Sequence, residues 1–165
     1  MSDGDEDGSG PATDGPFLLD VMLGSLASYL RMCGHDMAYA LDRGVEGDGD
    51  VLDLASAEGR TVLTRDVGLA RRADRSILLT ERDPRNQLRE LAAAGVALDL
   101  RERPSRCGRC NGPVEPVPAE ETTPDYAPEP SETPQWRCTA CGQVFWKGSH
   151  WDRVRETLAG LDAEE

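Results

Sequence analysis

The sequence predicts an α/β fold, in which helices flank a parallel sheet, followed by a C-terminal zinc ribbon. Two observations support this prediction. Short apolar segments alternate with segments of helical periodicity between residues 17 and 100, which is typical of a parallel sheet. Two Cys-x-x-Cys pairs then follow. We divide the chain into an acidic tail (1–15), an α/β domain (16–103), the ribbon (104–151) and a C-terminal helix with an acidic tail (152–165).

The elements of the α/β domain follow one another in regular alternation. Five apolar segments are predicted strands: 17–21, 37–41, 61–66, 76–80 and 96–100. Four segments between them are predicted helices: 23–30, 50–59, 68–73 and 83–94. The last of these helices has the clearest start, because Asp83 is a capping residue and Pro84 suits the first helical position. Residues 42–49, rich in Gly and Asp, are a predicted loop.

The net charge of −13 is unevenly distributed along the chain. Residues 1–15 contain five acids, no base and hardly any apolar side chain, so we expect a disordered tail. The stretch 71–109 contains ten arginines and six acids, and is therefore basic. One lysine against 17 arginines, with abundant Asp and Glu, is typical of a halophilic protein; an ordinary acidic protein is the alternative. At high salt, screening makes net charge a weak guide to partners.

The chain lacks the sequence signals of membrane insertion and export. No apolar segment approaches the ~20 residues that a membrane-spanning helix needs, and the acidic N-terminus has no apolar core of the kind found in signal peptides. We therefore expect a cytoplasmic protein with no membrane partner. Thiols stay reduced in that compartment, so paired cysteines indicate metal rather than disulfides.

The two cysteine pairs are the predicted ligands of one zinc ion: Cys107, Cys110, Cys138 and Cys141. Each short pair forms a knuckle that directs two thiolates at a tetrahedral ion. Because protein fills all four positions, we expect structural Zn²⁺. Gly108 and Gly142 are expected to allow the tight turns. The Pro-, Glu- and Thr-rich segment 116–135 is a predicted loop between the pairs, and the fifth cysteine, Cys33, is a predicted core residue.

Three aspartates are expected at the edge where the parallel strands end, which is where such sheets place their sites. Asp20 directly follows the first apolar strand, Asp66 ends the third, and Asp50 begins a helix on the same edge. Clustered carboxylates repel one another, and Mg²⁺ or Mn²⁺ is the usual compensation. Such a site can activate water for attack on a phosphodiester. The alternative is local, with Asp50 and Asp66 acting as helix caps.

Several segments occur in a specific order: Asp20 after its strand, 22–31, 50–55, Leu63-Thr-Arg-Asp66, 86–88, 106–113 and 145–151. This order resembles the Mut-7 C-terminal RNase domain family over residues 17–155. The resemblance implies a PIN-like nuclease fold with an added zinc ribbon, and an RNA-cleaving hydrolase that uses a divalent metal. By position, it implies that Asp20, Asp50 and Asp66 are the catalytic acids and metal ligands. PIN nucleases often have a fourth acid, for which Glu46 and Asp53 are candidates.

Four further residues are candidates for contacting RNA: Arg65, Arg71, Arg72 and His150. Arg65 adjoins Asp66 of the predicted metal site and could contact phosphate; a surface charge is the alternative. The next two begin the arginine-rich stretch, whose alternative is solvated helix faces paired with acids. The histidine could act as a general base or stack with a neighbouring tryptophan on a nucleobase. Packing of the aromatic side chains against the ribbon is the alternative.

These features favour a metal-dependent endoribonuclease whose zinc ribbon assists RNA binding. Two other classes of function stay open. A non-catalytic RNA- or ribosome-binding module would bind RNA without metal dependence and tolerate Asp20→Asn. A protein-interaction scaffold or toxin-like regulator would use the ribbon as its docking surface. The sequence determines neither the oligomeric state nor the choice between Mg²⁺ and Mn²⁺.

Overall fold

The computed structural model describes residues 15–101 and 103–163, which divide into two compact units. The α/β unit consists of residues 15–27 and 35–97, and the ribbon unit of residues 28–34 and 98–163 without residue 102. Residues 1–14 of the predicted disordered tail lie outside the described residues. No helix in the described parts of the chain is both long and apolar enough to cross a membrane.

The α/β unit is built on a four-stranded parallel sheet in the order β2-β1-β3-β4. The strands are β1 (Phe17–Leu19), β2 (Met37–Tyr39), β3 (Thr61–Thr64) and β4 (Ser76–Leu78). Every residue of the two central strands, β1 and β3, is buried. Burial on both faces explains why apolar residues are adjacent in these strands (Phe17–Leu19, and Val62 with Leu63) rather than alternating with exposed ones. The prediction of a parallel sheet flanked by helices is confirmed.

Helices connect the strands, and several have identifiable caps. They are a 3₁₀ helix (Val21–Leu26), α1 (Ala27–Met32), a second 3₁₀ helix (Leu41–Arg43), α2 (Asp48–Glu58), α3 (Val67–Arg72) and α4 (Pro84–Ala94). The Asp83 side chain caps α4, as the sequence indicates, and the structure adds that Gly95 ends the helix in the left-handed conformation. The apolar sides of α2 and α3 pack on the sheet, where Val51 and Leu69 join Leu18 in one buried cluster.

The sequence-based boundaries need three corrections. The predicted helix 23–30 divides into a 3₁₀ segment and α1, with a kink at Leu23 (φ −113°, ψ 22°). The predicted loop 42–49 contains a 3₁₀ turn and the first residues of α2. The predicted fifth strand, 96–100, is wrong, because those residues form no strand. The Val96 N–H instead donates to the Leu91 carbonyl at 2.9 Å, which closes the end of α4.

Arg60 ties together the ends of several elements at the amino edge of the sheet. Its guanidinium donates to the Phe17 carbonyl at 3.0 Å, to Asp36 Oδ1 at 2.8 Å and to Glu58 Oε1 at 2.6 Å. Arg43 donates to the same glutamate. The hydrogen bonds from Arg43 and Arg60 hold the pKa of Glu58 below its usual value, against the small opposing effect of burial.

The ribbon unit contains a three-stranded antiparallel sheet in the order β5-β6-β7. Its strands are β5 (Val114–Pro116), β6 (Gln135–Cys138) and β7 (Val144–Trp146). The predicted long loop is confirmed, because it connects β5 to β6. The C-terminal helix α5 (Ser149–Ala163) begins earlier than the predicted residue 152, so His150 and Trp151 lie in its first turn.

Candidate functional site

The four paired cysteines come together in the ribbon unit. All four sulfur atoms lie within 4.8 Å of one another. Cys107 Sγ is 3.7 Å from Cys141 Sγ, and Cys110 Sγ is 3.5 Å from Cys138 Sγ. Zinc–sulfur bonds of about 2.3 Å in a tetrahedron place neighbouring sulfurs about 3.8 Å apart. The cluster therefore has the size and donor set of a four-cysteine zinc site and could hold that ion.

Backbone N–H groups support the first cysteine of each pair in the same way. Cys107 Sγ accepts from the N–H groups of the residues two and three positions further on, at 3.3 and 3.4 Å. Cys138 Sγ accepts from the N–H groups of Ala140 and Cys141, both at 3.3 Å. N–H donors stabilise the thiolate form, which is the form that binds metal. The two pairs are thus matching knuckles.

The two knuckles differ in the acidity of these cysteines. Burial raises the pKa of Cys107 to about 12. Burial acts in the same direction on Cys138, but the N–H bonds from Cys141 and Ala140, together with the sulfur contacts to Cys110 and Cys141, outweigh it and lower its pKa to about 7. Cys33 lies outside the cluster, is buried, and has a pKa raised to about 12, first by burial and then by Asp99. A buried, protonated thiol agrees with the prediction that Cys33 is a core residue.

Each knuckle ends in a residue with a positive φ, directly after its second cysteine. Asn111 has φ 74° and Gly142 has φ 81°. The expected role of Gly142 in a tight turn is confirmed, whereas in the first knuckle Asn111 rather than Gly108 takes the left-handed conformation. Sequence reasoning missed Gly112, where a Cβ atom would lie 3.0 Å from Cys138 Sγ and 2.9 Å from the Ala140 Cβ atom. A glycine two residues after a knuckle is the signal that could have identified it.

Asp20 and Asp66 follow the neighbouring strands β1 and β3, and Thr64 connects them. The Thr64 hydroxyl donates to Asp20 Oδ2 at 2.7 Å and accepts from the Asp66 N–H at 3.0 Å. Thr64 is fully buried, whereas Asp20 is half-buried and Asp66 is exposed. This threonine was not singled out in the sequence, because its role depends on the pairing of β1 with β3. The Asp20 carboxyl group and the Asp66 backbone are thus linked through Thr64 at the carboxyl edge of the sheet.

Both carboxylates also serve local turns. Asp20 Oδ1 accepts from the Val21 N–H at 2.8 Å at the start of the 3₁₀ helix. Asp66 Oδ1 accepts from the Leu69 N–H at 3.1 Å and caps α3, so the capping alternative is confirmed for Asp66. Capping does not preclude metal binding, since an ionised carboxyl group offers about four lone-pair sites on its two oxygens.

Asp50 is exposed in the first turn of α2, whose N-cap is Gly47. The capping alternative is therefore wrong for Asp50. Because α2 follows β2 in a parallel crossover, its first turn belongs to the same edge of the sheet as Asp20 and Asp66. Among the residues that the structure describes, however, the cysteines are the only potential ligands grouped in threes or more within 4.8 Å. The three acids therefore share an edge without forming a closed ligand set.

The candidate RNA-contacting residues lie in different places. Arg65 is half-buried, and its Nε has no hydrogen-bond partner among the described residues. Arg71 and Arg72 are exposed in the last turn of α3, about 9 Å along the helix from Asp66. Arg72 forms a 3.9 Å ion pair with Asp48 in the first turn of α2. His150 is exposed and borders a cavity of the ribbon unit.

The arginine-rich stretch 71–109 does not belong to a single unit. Its arginines up to residue 97 lie in the α/β unit and those from residue 98 in the ribbon unit.

Comparisons with known proteins cover both units. A family model described as the Mut7-C RNAse domain matches residues 16–158, which include the sheet, the three aspartates and all four paired cysteines. Comparison with curated proteins and with solved structures gave no significant match. The chain belongs to the Mut7-C RNAse domain family.

Proposed function

We propose that this protein is a divalent-metal-dependent endoribonuclease that hydrolyses RNA phosphodiester bonds at the carboxyl edge of its parallel sheet. The observation that carries the proposal is the position of Asp20 and Asp66, where the Thr64 hydroxyl links the Asp20 carboxyl group to the Asp66 backbone N–H. This pair lies where parallel sheets place their sites. Membership of an RNase family supports RNA as the substrate.

The edge suits a hard cation that keeps part of its hydration shell. Mg²⁺ usually binds through one or two carboxylates and fills its other positions with water and substrate phosphate. Asp20 and Asp66 would be the protein ligands, and Asp50 would contribute from the first turn of α2. When bound, Mg²⁺ or Mn²⁺ would supply charge neutralisation and an activated water. An incompletely closed carboxylate set is compatible with this mode of binding.

The protein's own residues would hold this edge in place. The Thr64 hydroxyl restricts rotation of the Asp20 carboxyl group, because it fixes Oδ2 while the Val21 N–H fixes Oδ1. The same hydroxyl accepts a hydrogen bond from the Asp66 N–H, so the turn after β3 keeps its position relative to Asp20. Arg65 adjoins this turn and would contact a substrate phosphate. Preorganisation of this kind lowers the cost of assembling the reacting groups.

The four-cysteine site would have a structural role. Its ligands come from the segment before β5, from the end of β6 and from the connection between β6 and β7, so one Zn²⁺ would close the ribbon sheet at that end. All four coordination positions are filled by protein, which leaves none for water or substrate. The ribbon would assist RNA binding. Paired cysteines that form no disulfide are typical of a cytoplasmic protein, and scarce lysine supports function at high salt.

The test is cleavage of a mixed, structured RNA pool at high salt by the wild type, Asp20→Asn and Asp74→Asn. Asp74 is an exposed acid between α3 and β4, at the opposite edge of the sheet, and is the matched control. Added Mg²⁺ or Mn²⁺ should be omitted rather than chelated, so that zinc is retained, and zinc content should be measured in every variant. We expect metal-dependent cleavage that Asp20→Asn abolishes and Asp74→Asn preserves. Equal cleavage by all three proteins would refute the assignment of Asp20.

A second candidate function is a non-catalytic RNA- or ribosome-binding module. The observation in its favour is that the three acids do not form a closed ligand set in the described structure. This function predicts RNA binding that neither added Mg²⁺ nor Asp20→Asn changes. Absence of cleavage by folded, zinc-loaded wild type that still binds RNA would favour it over the nuclease.

A further inference from the structure

A cavity of about 310 Å³ lies within the ribbon unit. Its volume is at the lower end of the range found for small-ligand sites, about 300–1,000 Å³. Side chains of the ribbon sheet and of the first turn of α5 form much of its wall, including Trp136, Trp146 and Trp151. These are the only three tryptophans in the chain. The concentration of every tryptophan around one cavity indicates a binding surface for a flat, aromatic ligand.

The aromatic wall is held in place by its neighbours. Trp146 stacks on Tyr126 with ring centroids 6.2 Å apart and an angle of 27° between the rings. Gly148 allows the chain to pass close to the same indole, because a Cβ atom there would lie 2.6 Å from Trp146 Nε1. All three indoles are nevertheless only half-buried. Trp146 is thus fixed in position, and part of the surface of all three indoles stays accessible to a ligand.

The charge around the cavity is opposite to that of the chain as a whole. Arg106, Arg109 and Lys147 line it, and none of the described lining residues is acidic. The whole chain, by contrast, has 31 acids and 18 arginines and lysines. The Lys147 ammonium group lies 5.1 Å from the centre of the Trp151 ring, and the Arg109 guanidinium donates to Gln143 Oε1 at 2.9 Å. These contacts orient the cations beside the aromatic wall, where they would attract an anionic ligand.

We propose that this cavity binds one unpaired nucleobase of single-stranded RNA, stacked on the tryptophan side chains, with Lys147 and Arg109 contacting the flanking phosphates. Aromatic platforms combined with cations are how proteins bind single strands without reading their sequence. An apolar peptide side chain would fill the same volume, but it would not account for a purely cationic set of charged groups. The proposal depends on RNA being the substrate, as proposed above, and does not depend on cleavage at Asp20.

The test measures binding of a short oligouridylate to the full-length, zinc-loaded protein without added Mg²⁺ or Mn²⁺. Because every tryptophan lines the cavity, intrinsic tryptophan fluorescence reports occupancy directly. We expect quenching by the oligouridylate, and roughly 5- to 150-fold weaker binding of an abasic strand of equal length, since stacking of one base is lost. Trp151→Ala should weaken binding of the normal strand to a similar extent, and Trp151→Phe should restore most of it.

A charge variant tests the phosphate contact separately. Lys147→Gln should reduce the slope of log affinity against log salt by about 0.7, the value for one contact with a single strand. Arg153→Gln is the matched control, because Arg153 is exposed on α5 and does not line the cavity. Its salt slope should equal that of the wild type. Zinc content and circular dichroism of each variant establish that the ribbon unit is folded.

The proposal is overturned if the abasic strand binds as tightly as the normal one, or if folded Trp151→Ala binds RNA like the wild type. Quenching by an apolar peptide but not by RNA would overturn it in favour of a protein partner. Cleavage assays on the same variants separate it from the proposed nuclease. Base-dependent binding by a protein that cleaves no RNA supports this cavity and refutes the nuclease. Cleavage accompanied by base-independent binding refutes the cavity alone.

Discussion

Thr64→Val should destabilise the α/β unit, whereas the same substitution at Thr61 should not. Both threonines are fully buried in β3. The Thr64 hydroxyl makes two hydrogen bonds, to the Asp20 carboxyl group and from the Asp66 N–H. The Thr61 hydroxyl has no partner among the described residues. One strand therefore offers two identical substitutions, with identical changes in shape, that differ in the hydrogen bonds removed.

The expected magnitudes follow from those bonds. A hydrogen bond to a charged group contributes about 1.5–3 kcal/mol, and one between neutral groups about 0.5–1.5 kcal/mol. Burial of the additional methyl group of valine offsets about 0.8 kcal/mol of this loss in stability. Thr64→Val should therefore lower the free energy of unfolding by about 1–4 kcal/mol. Thr61→Val removes a buried hydroxyl that has no hydrogen-bond partner among the described residues, so it should raise the free energy of unfolding by about 1 kcal/mol.

Urea unfolding followed by far-UV circular dichroism, at saturating zinc, measures both effects. Tryptophan fluorescence is unsuitable here, because all three tryptophans belong to the ribbon unit. Thr64→Ser keeps the hydroxyl and serves as the second control, with an expected loss of about 1 kcal/mol from the missing methyl group. It should also keep RNA cleavage close to that of the wild type, whereas Thr64→Val should reduce cleavage. Equal losses of stability at positions 61 and 64 would contradict a stabilising role for the two Thr64 hydrogen bonds.

Three further predictions concern other parts of the structure. Gly24→Ala should lower the free energy of unfolding by about 1–3 kcal/mol in thermal unfolding, because the new Cβ atom would lie 2.7 Å from the Tyr39 hydroxyl oxygen. Glu58→Gln should be less stable than the wild type above about pH 4.3, the ordinary pKa of glutamate. This difference should disappear as the pH falls through the lowered pKa of folded Glu58, because a carboxyl group of depressed pKa stabilises only when ionised. Gly112→Ala should weaken zinc binding about 10-fold or more in competition with a chromogenic chelator, because its Cβ atom would crowd Cys138 Sγ at 3.0 Å.

Two glycines at which a Cβ atom would meet no neighbour, and one series of stability measurements at different pH, provide the controls. A Cβ atom at Gly49 in α2 or at Gly160 in α5 would meet nothing within 4 Å. Gly49→Ala should raise stability slightly, since alanine is the better helix former, and Gly160→Ala should leave zinc affinity unchanged. A Gly24→Ala protein as stable as Gly49→Ala would contradict the packing argument. If the stability difference between Glu58→Gln and the wild type grew as the pH was lowered, it would contradict the effect expected of the lowered pKa of Glu58.

The sequence predicts best those features that depend on neighbours along the chain. The cysteine knuckles are local in this sense, because each pair and its N–H donors lie within four residues. The helix α4 is another example, since Asp83 and Pro84 determine its first turn and Gly95 its end. Capping and ligand spacing are short-range effects, so a single sequence contains most of the information that they need.

Features that depend on tertiary pairing were not predictable. The apolar segment 96–100 has the composition of a strand, but Val96 completes the end of α4 and no ladder follows. Thr64 looks like any strand threonine until β1 and β3 are paired and its hydroxyl reaches Asp20. The grouping of three tryptophans from three elements (β6, β7 and α5) around one cavity likewise arises only when α5 and the ribbon sheet pack together.

A zinc ion held by the four-cysteine cluster would link the folding of the ribbon unit to metal supply by mass action. A ligand that binds only the folded state adds RT ln(1 + [L]/Kd) to stability, so each tenfold fall in free zinc would remove about 1.4 kcal/mol. Since no coordination position is left for substrate, zinc would influence RNA handling only through this folding equilibrium. The fraction of molecules with an intact ribbon would then depend on the free zinc concentration, and starvation for the metal would deplete it.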